Sequence, residues 1–101
     1  MDLSKNTALA ELNLAHNELS ILDLSDNTAL KTVNIAHNQL IKLDVRKNLA
    51  LTDLDFSHNE VSVIEVSKNV LLKNLDFAVL SIVIILATRS VIAETVLSRH
   101  L

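Results

Sequence analysis

Three histidines, His16, His37 and His58, stand 21 residues apart, and imidazole is the side chain best suited to proton transfer or metal ligation near neutral pH. A second column, Asp23, Asp44 and Glu65, keeps the same step, as does a third, Asn13, Asn34, Asp55 and Asp76. Carboxylates in such columns are not catalytic pairs by themselves, but they could meet a basic partner or hold a weak cation. Serine and histidine both occur, but the chain contains no glycine. A G-x-S-x-G nucleophile elbow and a glycine-rich phosphate loop are therefore both absent. No catalytic residues are assigned, and no enzymatic activity is expected.

The bland reading of each column weighs against chemistry. One divalent ion needs several nitrogens converging at about 2.0–2.1 Å, whereas a parallel ladder presents its rings side by side, so no metal or other cofactor is expected. A pH effect is the better expectation for the histidines: stacked imidazoles resist sharing positive charge, so acidification should weaken the fold. The acidic column reads first as a solvated face. Two unit charges about 4.8 Å apart repel by roughly 1 kcal/mol in water, which Lys42 or Arg46 on adjacent columns can offset. Asp23, Asp44, Glu65, His16, His37 and His58 remain the candidate binding surface.

The elements that position these columns follow from a repeat. Asn recurs at 6, 17, 27, 38, 48, 59 and 69, in steps alternating 11 and 10, so the true period is 21 residues. Two apolar registers lie between the asparagines. The first holds Leu12-x-Leu14, Val33-x-Ile35, Leu54-x-Phe56 and Leu75-x-Phe77; the second holds Leu22-x-Leu24, Leu43-x-Val45 and Ile64-x-Val66. Alternation of this kind sends every second side chain inward, and stacking successive coils pairs equivalent strands about 4.8 Å apart. The expected architecture is a mostly β, flat, two-sided solenoid with two parallel sheets, one strand per half-repeat.

With neither glycine nor proline in the chain, the turns fall to asparagine. Asn tolerates left-handed φ better than most residues, and its amide can satisfy backbone groups left unpaired at a corner. Stacking aligns Asn6, Asn27, Asn48 and Asn69 on one edge and Asn17, Asn38 and Asn59 on the other, and a structural ladder is the expected role of both.

The run Asp23-Leu24-Ser25-Asp26-Asn27-Thr28-Ala29-Leu30, repeated as Asp2-Leu3-Ser4-Lys5-Asn6-Thr7-Ala8-Leu9, resembles bacterial 21-residue leucine-rich repeats. These are the internalin-like class with nested LxxLxLxxNxLxxLDLxxN units. The resemblance covers residues 2 to 77. It implies a leucine-rich-repeat solenoid with capping domains at its ends, a secreted or cell-surface location, and binding of proteins or glycans through a solenoid face. Some relatives carry cysteine at the second inward strand position, where this chain has Leu14, Ile35, Phe56 and Phe77. The early start of the repeat suggests a fragment, a divergent small protein or an engineered chain.

Composition narrows the partners. A net charge of −3 with 9 basic and 12 acidic residues leaves no basic footprint for nucleic acid. The only aromatics, Phe56 and Phe77, occupy inward slots, so no platform for stacking sugars or bases is written. The apolar run Phe77 to Thr88 spans 12 residues, short of the roughly 18–20 of a spanning helix, and Met1 to Asn6 carries no signal-peptide pattern. A membrane role is disfavoured, and the chain itself leaves localisation open.

After Phe77 the grammar fails: Val79 stands in the histidine column, Leu80 at the Asn corner and Leu86 in the acidic column. The chain thus divides into a solenoid, residues 1–77, and an apolar cap or association segment, residues 78–101. Ile82, Ile85 and Ala87 still fall in inward slots, which leaves a degenerate coil open. The favoured expectation is a helical or irregular cap over about Ala78 to Ser98. Terminal repeats are atypical because they cover the core's open end, and an open end beside an apolar tail also allows homo-oligomers. The functional expectation is a non-enzymatic scaffold that binds another protein. The alternative is a structural or engineered solenoid without native ligand, assembling end to end.

Overall fold

The computed structural model describes residues 1–78, 84–86 and 96–100. Seven short strands occur among them: β1 (Glu11–Asn13), β2 (Thr32–Asn34), β3 (Asp53–Asp55), β4 (Val63–Glu65), β5 (Asn74–Ala78), β6 (Ile84–Leu86) and β7 (Val96–His100). A front sheet runs β1-β2-β3-β5-β7 and a return sheet pairs β4 with β6, all parallel. The front register advances by 21 residues, Leu12 to Val33 to Leu54 to Leu75, and then by 22 to Leu97. The principal extents of 33 × 28 × 16 Å match a thin, two-sided stack of coils.

The ladder continues beyond the strands into the corner. Leu14 and His16 N–H groups donate to the Asn34 and Ala36 carbonyls, and Ile35 and His37 donate to Asp55 and Ser57, all at 2.8–2.9 Å. Inward residues of both sides meet in one core, with Leu24, Leu30, Val33, Ile35, Leu40, Leu43 and Val45 buried. Phe56 and Phe77 stack in that core at a centroid distance of 6.4 Å. The first-coil equivalents Leu3, Leu9, Leu12, Leu14, Leu19 and Leu22 pack against the core but are only partly buried.

The two sheets are unequal. Leu22–Leu24 and Leu43–Val45 carry the inward alternation of strands yet form no paired strand. Side chains take up the backbone donors at both ends of these segments: Asn38 Oδ1 accepts from Leu19 N–H and Asp23 from Ser25, while Asn59 accepts from Leu40 and Asp44 from Arg46. Burial of Leu24, Leu43 and Val45, more than ladder bonding, fixes this side until β4 and β6 pair.

The described part of the tail corrects the expected helix. A helix over 78–98 is incompatible with strands at Ile84–Leu86 and Val96–His100, which continue both sheets in register. Ile85 pairs with Ile64 and Leu86 with Glu65, the slots that the repeat assigns them. The physical reason is twofold. The run Ile82-Val83-Ile84-Ile85 is β-branched and favours extended backbone, and an unpaired parallel edge templates the next strand. Val79, Leu80, Ile82 and Ala87 lie outside the described residues.

Candidate functional site

The histidine column forms at the first corner, immediately after the front strands. His16 and His37 stack with ring centroids 4.2 Å apart, and His37 and His58 at 4.1 Å, each pair tilted by 12°. The backbone explains how they are held. All three adopt left-handed φ, at 61°, 57° and 55°, which corrects the expectation that asparagine would supply that conformation. Histidine shares asparagine's enrichment in this region. The asparagine one residue later contributes its amide instead: Asn17 Nδ2 donates to the Leu14 carbonyl, Asn38 to Leu14 and Ile35, and Asn59 to Ile35 and Phe56.

Just upstream, Asn13 Oδ1, Asn34 Oδ1 and Asp55 Oδ1 accept from the N–H two residues on, at Ala15, Ala36 and Ser57. This front column therefore caps the turn that presents the histidines. Partial desolvation of the exposed ring within the stack and the charges of His58 and His16 hold the His37 imidazole below the usual histidine range, against the opposing pull of Asp55. Among the described residues no group of three or more His, Asp or Glu side chains is arranged to hold a metal ion.

At the other edge, Asn27, Asn48 and Asn69 are buried. Each amide bridges to the preceding coil: Asn27 Nδ2 donates to the Leu3 and Asn6 carbonyls, Asn48 to Leu24 and Asn27, and Asn69 to Val45 and Asn48. Their Oδ1 atoms are buried with no hydrogen-bond partner. Asn6, in the first coil, is exposed; its carbonyl accepts from Leu9 and from Asn27.

The acidic column lies on the return side, away from the histidines. Asp23 accepts from both the N–H and the hydroxyl of Ser25, and those two bonds hold its carboxyl below the ordinary value. Asp44 receives the Arg46 guanidinium through Nε at 3.0 Å and Nη2 at 2.9 Å, together with the Arg46 N–H, and its pKa falls to about 2. Arg46 also reaches Glu65 at 4.0 Å. A single arginine thus ties two of the three acids together.

Apolar side chains that sequence reasoning had passed over flank this column: Ile21 is 84% exposed, Ile41 62% and Val63 47%. A shallow cleft joins Ile41 and Val63 to Lys42, Asp44, Arg46 and Glu65. The signal was present in the sequence, because Ile21 and Val63 occupy outward slots of the return segments, where alternation calls for polar residues.

Parallel coils of 21 residues, inward leucines and asparagine corners define a leucine-rich-repeat solenoid of the internalin-like kind. Among solved structures, the functional domain of InlJ from Listeria monocytogenes, described as including a cysteine ladder, is similar to this chain at 26% sequence identity and a TM-score of 0.62. The match covers 77% of this chain and 22% of that one, so the chain spans about a fifth of that structure's length. This chain has no cysteine. No family model and no curated protein matches it.

Proposed function

We propose that the chain is a non-enzymatic repeat scaffold that binds another protein through its return side. The observation that carries this reading is the exposure of Ile21, Ile41 and Val63 on the return side, with Ile41 and Val63 sharing a cleft with Asp44, Arg46 and Glu65 and with Ile21 in the same column as Lys42 and Val63. Folding gains nothing from apolar side chains in outward slots, whereas protein interfaces combine an apolar centre with a polar, charged rim. The acidic groups are engaged in capping Ser25 and pairing Arg46, a use that favours a rigid binding face over proton transfer. The stacked histidines sit on a separate edge and serve this reading as a spacer that fixes the coils.

Panning a phage-displayed peptide library on the full chain tests the proposal. Enriched peptides are expected to lose binding to an Ile21→Ser, Ile41→Ser, Val63→Ser variant that keeps the wild-type circular dichroism spectrum. Peptides that bind both proteins equally would overturn it. A second reading, end-to-end self-association, is favoured by the partly buried leucines of the first coil and by Leu97, 49% exposed on the opposite edge strand. Sedimentation equilibrium showing a monomer across a wide concentration range would exclude that second reading.

A further inference from the structure

The second asparagine edge changes character along the stack. Each corner there consists of two consecutive turns. In the third coil Asn48 N–H donates to the Val45 carbonyl and Leu51 N–H to Asn48; in the fourth, Asn69 donates to Val66 and Leu72 to Asn69. The central residues of these turns are Arg46-Lys47 and Leu49-Ala50, then Ser67-Lys68 and Val70-Leu71, all exposed but the half-buried Ala50 and Ser67. Earlier coils place Thr7-Ala8 and Thr28-Ala29 where these place Leu49-Ala50 and Val70-Leu71. Leu49, Val70 and Leu71 are 55%, 56% and 54% exposed.

Charge segregates at the same place. Residues 46–52 and 66–73 contain Arg46, Lys47, Lys68 and Lys73 and no acid, in a chain whose net charge is −3. Arg46 is engaged with Asp44, and Lys47 faces the fields of Asp23 and Asp44. Asp26 is the one acid in the column that holds Lys47 and Lys68, one coil away. Lys68, which shares a cleft with Asp23 and Asp44, and Lys73, beyond that cleft, join Lys47 as the knuckle's cations outside the Arg46–Asp44 pair. The result is an apolar turn tip flanked by ammonium groups, beside a cleft in which Arg46, Lys47 and Lys68 face Asp23 and Asp44; Leu49, Val70 and Leu71 do not line that cleft. Fluid lipid can close around such a tip, and an anionic headgroup layer complements the lysines.

We propose that this knuckle docks on an anionic lipid surface, with Leu49, Val70 and Leu71 entering the headgroup region and Lys68 and Lys73, assisted by Lys47, meeting lipid phosphates. The mode is peripheral; no described helix is long and apolar enough to cross a membrane. Its apolar residues are separate from Ile21, Ile41 and Val63, although Lys47 and Lys68 share a cleft with Asp23 and Asp44 of the return-side face.

Co-sedimentation of the full chain with vesicles of phosphatidylcholine and phosphatidylglycerol, against phosphatidylcholine alone, tests it. Binding is expected only to the anionic vesicles, and it should fall sharply between about 0.1 M and 1 M salt as the screening length shrinks from about 10 Å to 3 Å. Lys68→Gln with Lys73→Gln should weaken partitioning on the order of 30-fold, and Leu49→Ser, Val70→Ser, Leu71→Ser by more than about tenfold. All five positions are exposed, so the lysine variant keeps the test open if the apolar one fails to fold. Equal binding to neutral vesicles, no binding to either, or wild-type affinity in the lysine variant would each overturn the proposal. So would preference for soluble poly-glutamate over anionic vesicles.

Discussion

Two buried asparagines of the same coil stack should respond differently to the same substitution. Asn38 is fully engaged: its Nδ2 donates to the Leu14 carbonyl at 2.9 Å and the Ile35 carbonyl at 3.1 Å, and its Oδ1 accepts from Leu19 N–H at 3.0 Å. Asn48 donates to Leu24 at 3.1 Å and Asn27 at 2.9 Å, but its Oδ1 is buried with no partner. Leucine keeps asparagine's branching but is bulkier, so Asn38→Leu and Asn48→Leu share an overpacking cost of about 1–3 kcal/mol and differ from each other mainly in the polar groups they remove. At about 1 kcal/mol net per bond, Asn38→Leu forfeits about 3 kcal/mol. It also strips the Leu19 N–H of its acceptor, whereas the Leu14 and Ile35 carbonyls keep the Asn17 and Asn59 amides.

Asn48→Leu loses about 2 kcal/mol of bonding and recovers about 1 by removing a desolvated, unpartnered oxygen. For a domain of this size those polar losses correspond to roughly 12–24 °C and 4–8 °C in melting temperature, beyond the shared overpacking cost. Parallel thermal melts followed by far-ultraviolet circular dichroism measure the difference. Equal losses, or a larger loss at position 48, would show that the reasoning from unpartnered oxygens fails.

Three further outcomes follow from the corner and the return side. His37→Val should lose about 1–2 kcal/mol because a β-branched residue resists left-handed φ, while His37→Asn should melt near the wild type at pH 8. The His37 pKa is depressed in the fold, so between its folded value and 6.5 the unfolded chain binds more protons. Stability should then rise with pH through that window and fall on acidification; His37→Asn should flatten this slope, and an unchanged slope would remove the stack as its cause. Asp44 and Arg46 are 62% and 58% exposed, so Asp44→Asn should cost no more than about 1 kcal/mol. That contribution is fully present above pH 3.8 and is lost as pH falls toward the folded value of about 2. Acid titration of wild type and variant should therefore converge there.

Periodicity wrote much of this molecule openly. Alternating leucines and a strict 21-residue step determine which side chains face inward, because period 2 and stacking at about 4.8 Å leave a single way to bury Leu12, Val33, Leu54 and Leu75 together. The same step determined that His16, His37 and His58 would share a column and that Asp23, Asp44 and Glu65 would share another. Backbone conformation was a different matter. Both Asn and His tolerate left-handed φ, so residue type alone could not assign it to histidine; the hydrogen bonds of Asn38 and Asn59 to strand carbonyls did. Composition likewise left the tail open between helix and strand, and only the free edges of β4 and β5 selected β6 and β7.

The surfaces show the same division. Alternation could mark Ile21 and Val63 as apolar residues in outward slots, but exposure depends on what packs over them, a property of the assembled coils. Arg46 could be placed near the acidic column from spacing, yet its simultaneous reach to Asp44 and Glu65 required side chains in space. The lysines and apolar turn tips of the third and fourth coils are scattered between residues 47 and 73 in sequence. They become one knuckle only because the solenoid stacks residues 21 apart into adjacent positions.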